Sequence, residues 1–224
     1  MDETGDMQED LDAGYQEMAR DEVRESEALR WAEATVAGAW SAVTLPREES
    51  LRRLKKTLAA LEQSLGADHL DTLHARRWLA YRHRADGDFS EALHLFQANV
   101  SVCQRSLGPD SAETLRARSS LANCYYAAGR YEEAISQFAQ VLQDRERVLG
   151  PDHPDTLRSR GSLANSYRAA GLPWEALGRH RGLLPDRERV LGPDHLSTQA
   201  TRKNLATTEA ELAGGPGKAF GGEP

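Results

Sequence analysis

A five-residue signature recurs along this chain at one fixed spacing. Leu65-Gly66-Ala67-Asp68-His69 returns as Leu107-Gly108-Pro109-Asp110-Ser111, as Leu149-Gly150-Pro151-Asp152-His153 and as Leu191-Gly192-Pro193-Asp194-His195, each 42 residues after the last. A constant period without insertion describes one supersecondary unit stacked on its neighbours, because such a unit cannot bury its apolar face alone. The phase holds between the signatures. Leu79, Leu121 and Leu163 coincide, as do Ala80, Ala122 and Ala164, then Gly87, Gly129 and Gly171, then Ala92, Ala134 and Ala176.

Each unit reads as two helices. In the middle unit Leu115, Leu121, Ala122 and Tyr125 form one apolar stripe at helical spacing. Gly129 suits the left-handed position that ends a helix. Tyr131, Ala134, Ile135, Phe138, Val141 and Leu142 form the second stripe, which stops at Leu149-Gly150 with Pro151 behind it. Asp152 is expected to cap the next helix, with Pro154 in its first turn. The alanines are small where paired helices cross, and the aromatics fill the space beside the crossings. The second helix of the third unit carries Gly178, Gly182 and Pro185. An interior Pro costs ~3 kcal/mol and a Gly ~1 kcal/mol relative to Ala. A kink or fraying is therefore expected between Gly182 and Pro185.

The set Leu121, Ala122, Tyr125, Ala134 and Phe138 resembles the helix-pair signature of the tetratricopeptide repeat family. The 42-residue period and the Leu-Gly-Pro-Asp-His-Pro linker resemble the kinesin-light-chain type, which is also common in bacterial multidomain proteins. The resemblance implies an all-α, right-handed helix-turn-helix solenoid of about three full repeats over residues 65–213, and a protein that binds other proteins. Two positions depart from the pattern. His83 stands at the tyrosine position of the first unit, and His180 at the phenylalanine position of the third.

Residues 16–64 read as degenerate N-terminal capping helices. Leu29, Ala32, Val36, Trp40 and Val43 form one stripe, and Leu54, Leu58, Leu61 and Leu65 another. Leu196–Leu212 reads as the C-terminal capping helix. Residues 1–15 are expected to be a disordered acidic arm, and residues 214–224 a disordered Gly/Pro tail.

Composition narrows the function. No apolar run approaches the ~18–20 residues of a membrane span. The opening Met1-Asp2-Glu3 is acidic where a secretory leader is basic and then apolar. The two cysteines cannot build a disulfide framework and fit a reducing, cytoplasmic setting. Residues 1–50 hold 14 acidic side chains and four Arg, net −10, while the other 174 residues are net +3. The arm is either a solubilising tail or a tethered competitor for a basic surface.

No catalytic, cofactor or metal site is expected. His69, His153 and His195 occupy one loop position in successive repeats and stand too far apart to share a metal. Cys103 and Cys124 read as small core residues. Gly217-Lys218-Ala219 lacks the spacing and hydroxyl of a phosphate loop.

The first helices of such a solenoid line its concave wall. Between their core positions lie His74, Arg77, Tyr81 and Arg84 in the first unit, and Arg116, Ser119, Asn123 and Tyr126 in the second. The third contributes Arg158, Gly161, Asn165 and Arg168, and the capping helix Lys203. The resemblance implies peptide contact by Asn123, Asn165 and these basic residues. Asn can hold a peptide backbone, Arg can fork a carboxylate, and Tyr adds apolar surface with a polar tip. The expected partner is an acidic peptide segment of another protein. A regulatory or sensor module derived from repeat-bearing signalling ATPases, acting with a separate catalytic partner, is the alternative. Nucleic acid ranks low, because stacking aromatics are few and the chain is acidic. Imperfectly capped solenoid ends leave room for a homodimer.

Overall fold

The computed structural model describes residues 47–213, and among these there are eight α-helices and no strand. Helix α1 (Arg47–Leu65) precedes three pairs. These are α2 (Leu70–Ala85) with α3 (Phe89–Leu107), α4 (Ala112–Ala127) with α5 (Tyr131–Leu149), and α6 (Pro154–Ala169) with α7 (Pro173–Val190). Helix α8 (Leu196–Ala213) follows. The expected arm over 1–15, the stripe over 29–43 and the tail over 214–224 lie outside the described residues. The chain divides into two units at Arg53 and Leu54. The architecture below is that of the second.

From α2 to α8 each helix packs on the next, and alternate first helices also meet, α2 with α4, α4 with α6 and α6 with α8. The result is a solenoid of stacked helix pairs with its first helices side by side.

The turn inside each pair is fixed by glycine. Gly129 has φ 73°, the left-handed region that a Cβ would strain. The Arg130 N–H then returns to the Tyr125 carbonyl at 2.9 Å and the Gly129 N–H to that of Tyr126 at 3.0 Å, which closes the helix end. Gly87 and Gly171 repeat this geometry.

Helix starts use a different residue from the one expected. His153, not Asp152, is the N-cap of α6, and its Nδ1 accepts from the Asp155 N–H at 3.1 Å. His69 does the same for α2 at 3.2 Å, and Ser111 Oγ caps α4 by accepting from the Thr114 N–H at 3.1 Å. The physical reason is register: the extended backbone that precedes the first helical residue falls on His153, one residue after Asp152, which is engaged elsewhere. Arg189 grips its carboxylate with both guanidinium arms, one at 2.9 Å. Behind the caps, the fully buried Thr72 and Thr114 donate to the Gly66 and Gly108 carbonyls at 2.7 Å, tying each linker to the helix it starts.

The core follows the stripes. Ala122, Ala134, Phe138 and Leu163 cluster, with Tyr125, Tyr126, Ile135, Leu142 and Tyr167 against them. Each buried phenylalanine contributes ~1.5–3 kcal/mol. The residues that seam one pair to the next change along the stack. Leu61, Cys103, Arg145 and Arg187 share one register, and all four are buried. Arg145 donates to Ser159 Oγ at 2.7 Å and to the Asp155 carbonyl at 3.1 Å. Burial pulls its guanidinium down to about 10, so it stays cationic at neutral pH.

Helix α7 is continuous from Pro173 to Val190 with Pro185 inside it, so the expected fraying between Gly182 and Pro185 is absent. Arg160 donates to the Gly182 carbonyl at 3.2 Å and pairs with Asp186 at 2.7 Å, bracing α7 on both sides of the proline.

Candidate functional site

The face built by α2, α4, α6 and α8 carries all the residues singled out from the sequence, but at unequal depth. Arg77 is only 2% exposed, and its Nη1 donates to Glu113 Oε1 at 2.8 Å. Tyr81 is buried too. Its hydroxyl meets Ser120 Oγ at 2.7 Å, and its ring packs edge-on against Phe96 with centroids 5.1 Å apart. Arg84 lies over that ring at 5.2 Å. Ser119 Oγ is buried with no hydrogen-bond partner. These positions form the floor between α2 and α4. The two-helix pattern of one unit does not reveal this, because the cover comes from the next unit.

The others remain at the surface. Arg158 is exposed and reaches Asp155 on its own helix at 3.1 Å. Arg116 is about a third exposed, with Glu113 at 3.8 Å. Asn123 and Tyr126 are half-buried, and Tyr126 packs edge-on against Tyr131 at 5.6 Å. Asn165 is half-buried and accepts from Asn204 Nδ2 at 3.0 Å, so its own amide hydrogens stay available to a ligand carbonyl. Arg168 pairs with Glu211 at 3.0 Å, and Lys203 is exposed.

The face is less purely basic than its one-letter pattern suggests. Glu113, which sequence reasoning passed over, sits among His74 at 3.5 Å, Arg77 and Arg116. Burial raises its pKa. The hydrogen bond from His74 and the charges of Arg77, His74 and Arg116 outweigh this and hold it at about 2. The signal was its register, since Asp71 and Asp155 are acids at the same position.

Two further groups escaped the sequence reading. Arg187 is buried and donates to the Leu157 carbonyl on α6 at 3.0 Å, and to the Ser197 carbonyl and Thr201 Oγ1 on α8, each at 2.6 Å. Its Nη2 would lie 2.7 Å from a Cβ on Gly161, so Gly161 is the space that the guanidinium fills. The outer edge carries a periodic ion-pair lattice. Arg147 bridges Asp110 and Asp144, and Arg118 meets Asp144 at 2.6 Å. One period later Arg189 bridges Asp152 and Asp186, and Arg160 meets Asp186. Exposed pairs add little stability singly, but their repetition fixes the register of helix on helix.

The tyrosine and phenylalanine positions that hold histidine are both in the core. His83 Nδ1 contacts Asp88 Oδ2 at 2.9 Å. His180 is 1% exposed, and neither ring nitrogen has a partner. Burial, and then the charges of Arg168 and Arg187, pull its pKa down to about 4.

The tetratricopeptide repeat family model matches residues 75–145 and 118–185. With its stacked helix pairs, the chain is a tetratricopeptide-repeat protein. Its 42-residue units share their fold with solved TPR-like repeats. Two crystal structures of nearly identical TPR-like repeats from Podosopora anserina, described as kinesin light chain, are similar to it. One is 23% identical with TM-score 0.70 over 85% of this chain and 90% of the other. The second is 24% identical with TM-score 0.66 over 82% and 85%. The apo form of RapI is 13% identical with TM-score 0.60 over 88% of this chain and 74% of its own. No curated protein matches by sequence. Among the described residues no helix is long and apolar enough to cross a membrane. The fold is that of a protein-interaction scaffold.

Proposed function

We propose that the chain is a non-enzymatic adaptor that holds an acidic peptide segment of another protein along its first-helix face, the concave wall of the solenoid. The observation that carries this reading is the register of accessible side chains. Asn123 and Asn165 stand at one position on adjacent helices, with Arg116 and Arg158 two turns before them and Tyr126 and Arg168 three residues after. An extended peptide crossing α4 and α6 would meet an amide, a guanidinium and an aromatic or basic group at each helix. Arg158 and Arg168 are held by partly exposed and exposed carboxylates of the same chain, Asp155 and Glu211, which a ligand carboxylate can displace at small cost. Arg77, Tyr81 and Ser119 shape the floor rather than touch the ligand. Cys103 and Cys124 are free and buried, which fits a cytoplasmic setting.

The test is a screen of an acidic peptide library on the full chain, followed by anisotropy titration of the best binder. Replacing Arg116, Asn123 and Arg158 by Ala together abolishes binding and leaves far-UV circular dichroism unchanged, with ~1.5–3 kcal/mol lost per charged hydrogen bond. Unchanged affinity in the triple variant removes the concave face as the binding surface.

A further inference from the structure

Helix α7 differs from the other second helices on its outer face. Trp174 is 69% exposed and Leu172, just before the helix, 40%. Gly178, Gly182 and Pro185 continue the same exposed face at spacings of three or four residues. At the same register α5 carries Glu132, Ser136, Gln140 and Gln143, and α3 carries Ser90, His94, Ala98 and Ser101. The fold does not need the change. A Cβ on Gly178 or on Gly182 would meet nothing within 4 Å. Two glycines and a proline inside one helix work against helix formation relative to alanine. An exposed tryptophan beside them adds an apolar patch that the array's own packing does not use.

The charges on this face say what covers it. Trp174 and Gly182 lie four residues either side of Gly178, and Glu175 and Arg181 three residues either side. All five share one face of the helix, since three- and four-residue steps both return to it. When two such helices cross antiparallel at Gly178, the indole of each falls on the bare Gly182 backbone of the other. Each Glu175 then faces an Arg181. The face is complementary to itself in shape and in charge, which is the requirement of a two-fold interface. Arg181 now reaches Glu209 at 2.8 Å, an exposed pair that can be exchanged. Helix α5 could not do this, because Glu133 would face Ala139 and Glu132 would face Gln140.

We propose that the outer face of α7 is a homodimer interface, and that its occupant is α7 of a second copy of this chain, antiparallel and centred on Gly178. One helix face is smaller than the ~1,200 Å² of a standard interface, so the dimer is weak and concentration-dependent. It uses the flank of the third repeat and leaves the first-helix face open, so it neither needs nor blocks the peptide site.

Sedimentation velocity on the full chain, from about 1 to 100 µM, tests this. The wild-type chain passes from monomer towards dimer over that range. Gly178→Gln, which improves helix propensity and whose Cβ meets nothing within 4 Å in its own chain, weakens the dimer at least tenfold with circular dichroism and melting intact. Glu175→Arg and Arg181→Glu each weaken it, and the double swap E175R/R181E restores it, because both reciprocal pairs are rebuilt. A chain that stays monomeric throughout overturns the proposal. So does a dimer indifferent to Gly178→Gln, or a double swap no better than its parents.

Discussion

The first and third repeats solve the same packing problem with opposite parts. In the first, the inward position of the first helix is Arg77 and the facing position of the second helix is Cys103. In the third, the same two positions are Gly161 and Arg187. The middle repeat has Ser119 and Arg145. A large cationic side chain thus enters from one helix or from the other, and the opposing residue shrinks to admit it. Arg77 finds a carboxylate, Glu113, whereas Arg187 finds two backbone carbonyls and a hydroxyl. The polar partners follow the arginine. Ala75 and Ala117 stand where Leu61 and Cys103 are apolar, and Ser159 and Thr201 stand where Arg145 and Arg187 need an acceptor. A seam between repeats is therefore specified by matched sets, not by single positions.

The largest expected effect comes from breaking the third-repeat set. Arg187→Ala removes the clasp on α6 and α8 and leaves a cavity beside Gly161, at a cost of about 2–4 kcal/mol. In urea unfolding followed by hydrogen exchange, α8 should lose protection first, since two of the three contacts lie there. Importing the first-repeat solution sharpens the comparison. The combination G161R/R187C/S197E/T201A rebuilds Arg77, Cys103, Glu113 and Ala117 in register and should regain more than half of the loss. If it is no more stable than Arg187→Ala alone, the sets are not interchangeable.

These sets explain how much of the molecule was legible. Repeat number, helix pairing and the glycine turns could be read directly, because Gly87, Gly129 and Gly171 are demanded by backbone geometry within one unit. The cap was misassigned to Asp152 by one residue, because capping preference alone does not say which of two adjacent polar residues takes the extended N-cap backbone. Arg77 and Tyr81 were placed at the surface, because their cover is supplied by Glu113 and Ser120 of the next unit. Arg145 and Arg187 were passed over, although their register with Leu61 and Cys103 marked them as core. What a single unit determines was visible, and what two units determine together was not.

Histidine 180 gives the next effect in size. Its ring occupies the place of Phe96 and Phe138, between Arg168 of α6, which is paired with Glu211 of α8, and Arg187 of its own helix. The folded pKa, about 4, lies below the ordinary 6.5, so the unfolded chain binds the proton first. Stability from this residue is complete above pH 6.5 and falls as the pH drops towards 4, by about 2 kcal/mol between pH 8 and pH 5. His180→Phe should abolish that share of the acid sensitivity and raise the melting temperature more at pH 5 than at pH 8. No first-repeat counterpart is expected, since Phe96 cannot titrate. An unchanged pH profile in the variant would place the acid sensitivity elsewhere.

The smallest effects come from two glycines of the third repeat that look alike in the sequence. Gly161 and Gly178 both lie inside helices, and replacement by Ala favours each helix by ~1 kcal/mol. Their surroundings differ. A Cβ at 161 would stand 2.7 Å from the Arg187 guanidinium, which three hydrogen bonds hold in place, so it cannot move aside cheaply. A Cβ at 178 enters open space. Gly161→Ala should therefore destabilise by about 1–2 kcal/mol net, through strain on a packed core. Gly178→Ala should stabilise by up to ~1 kcal/mol in the monomer. Chemical denaturation at submicromolar protein concentration, where self-association does not contribute, separates the two. Opposite signs mean that one glycine is kept to admit an arginine of its own chain, and the other is kept for something the chain meets. Equal stabilisation at both sites would show that Arg187 can repack around a methyl group, and the matched-set account of the third repeat would fail at its tightest contact.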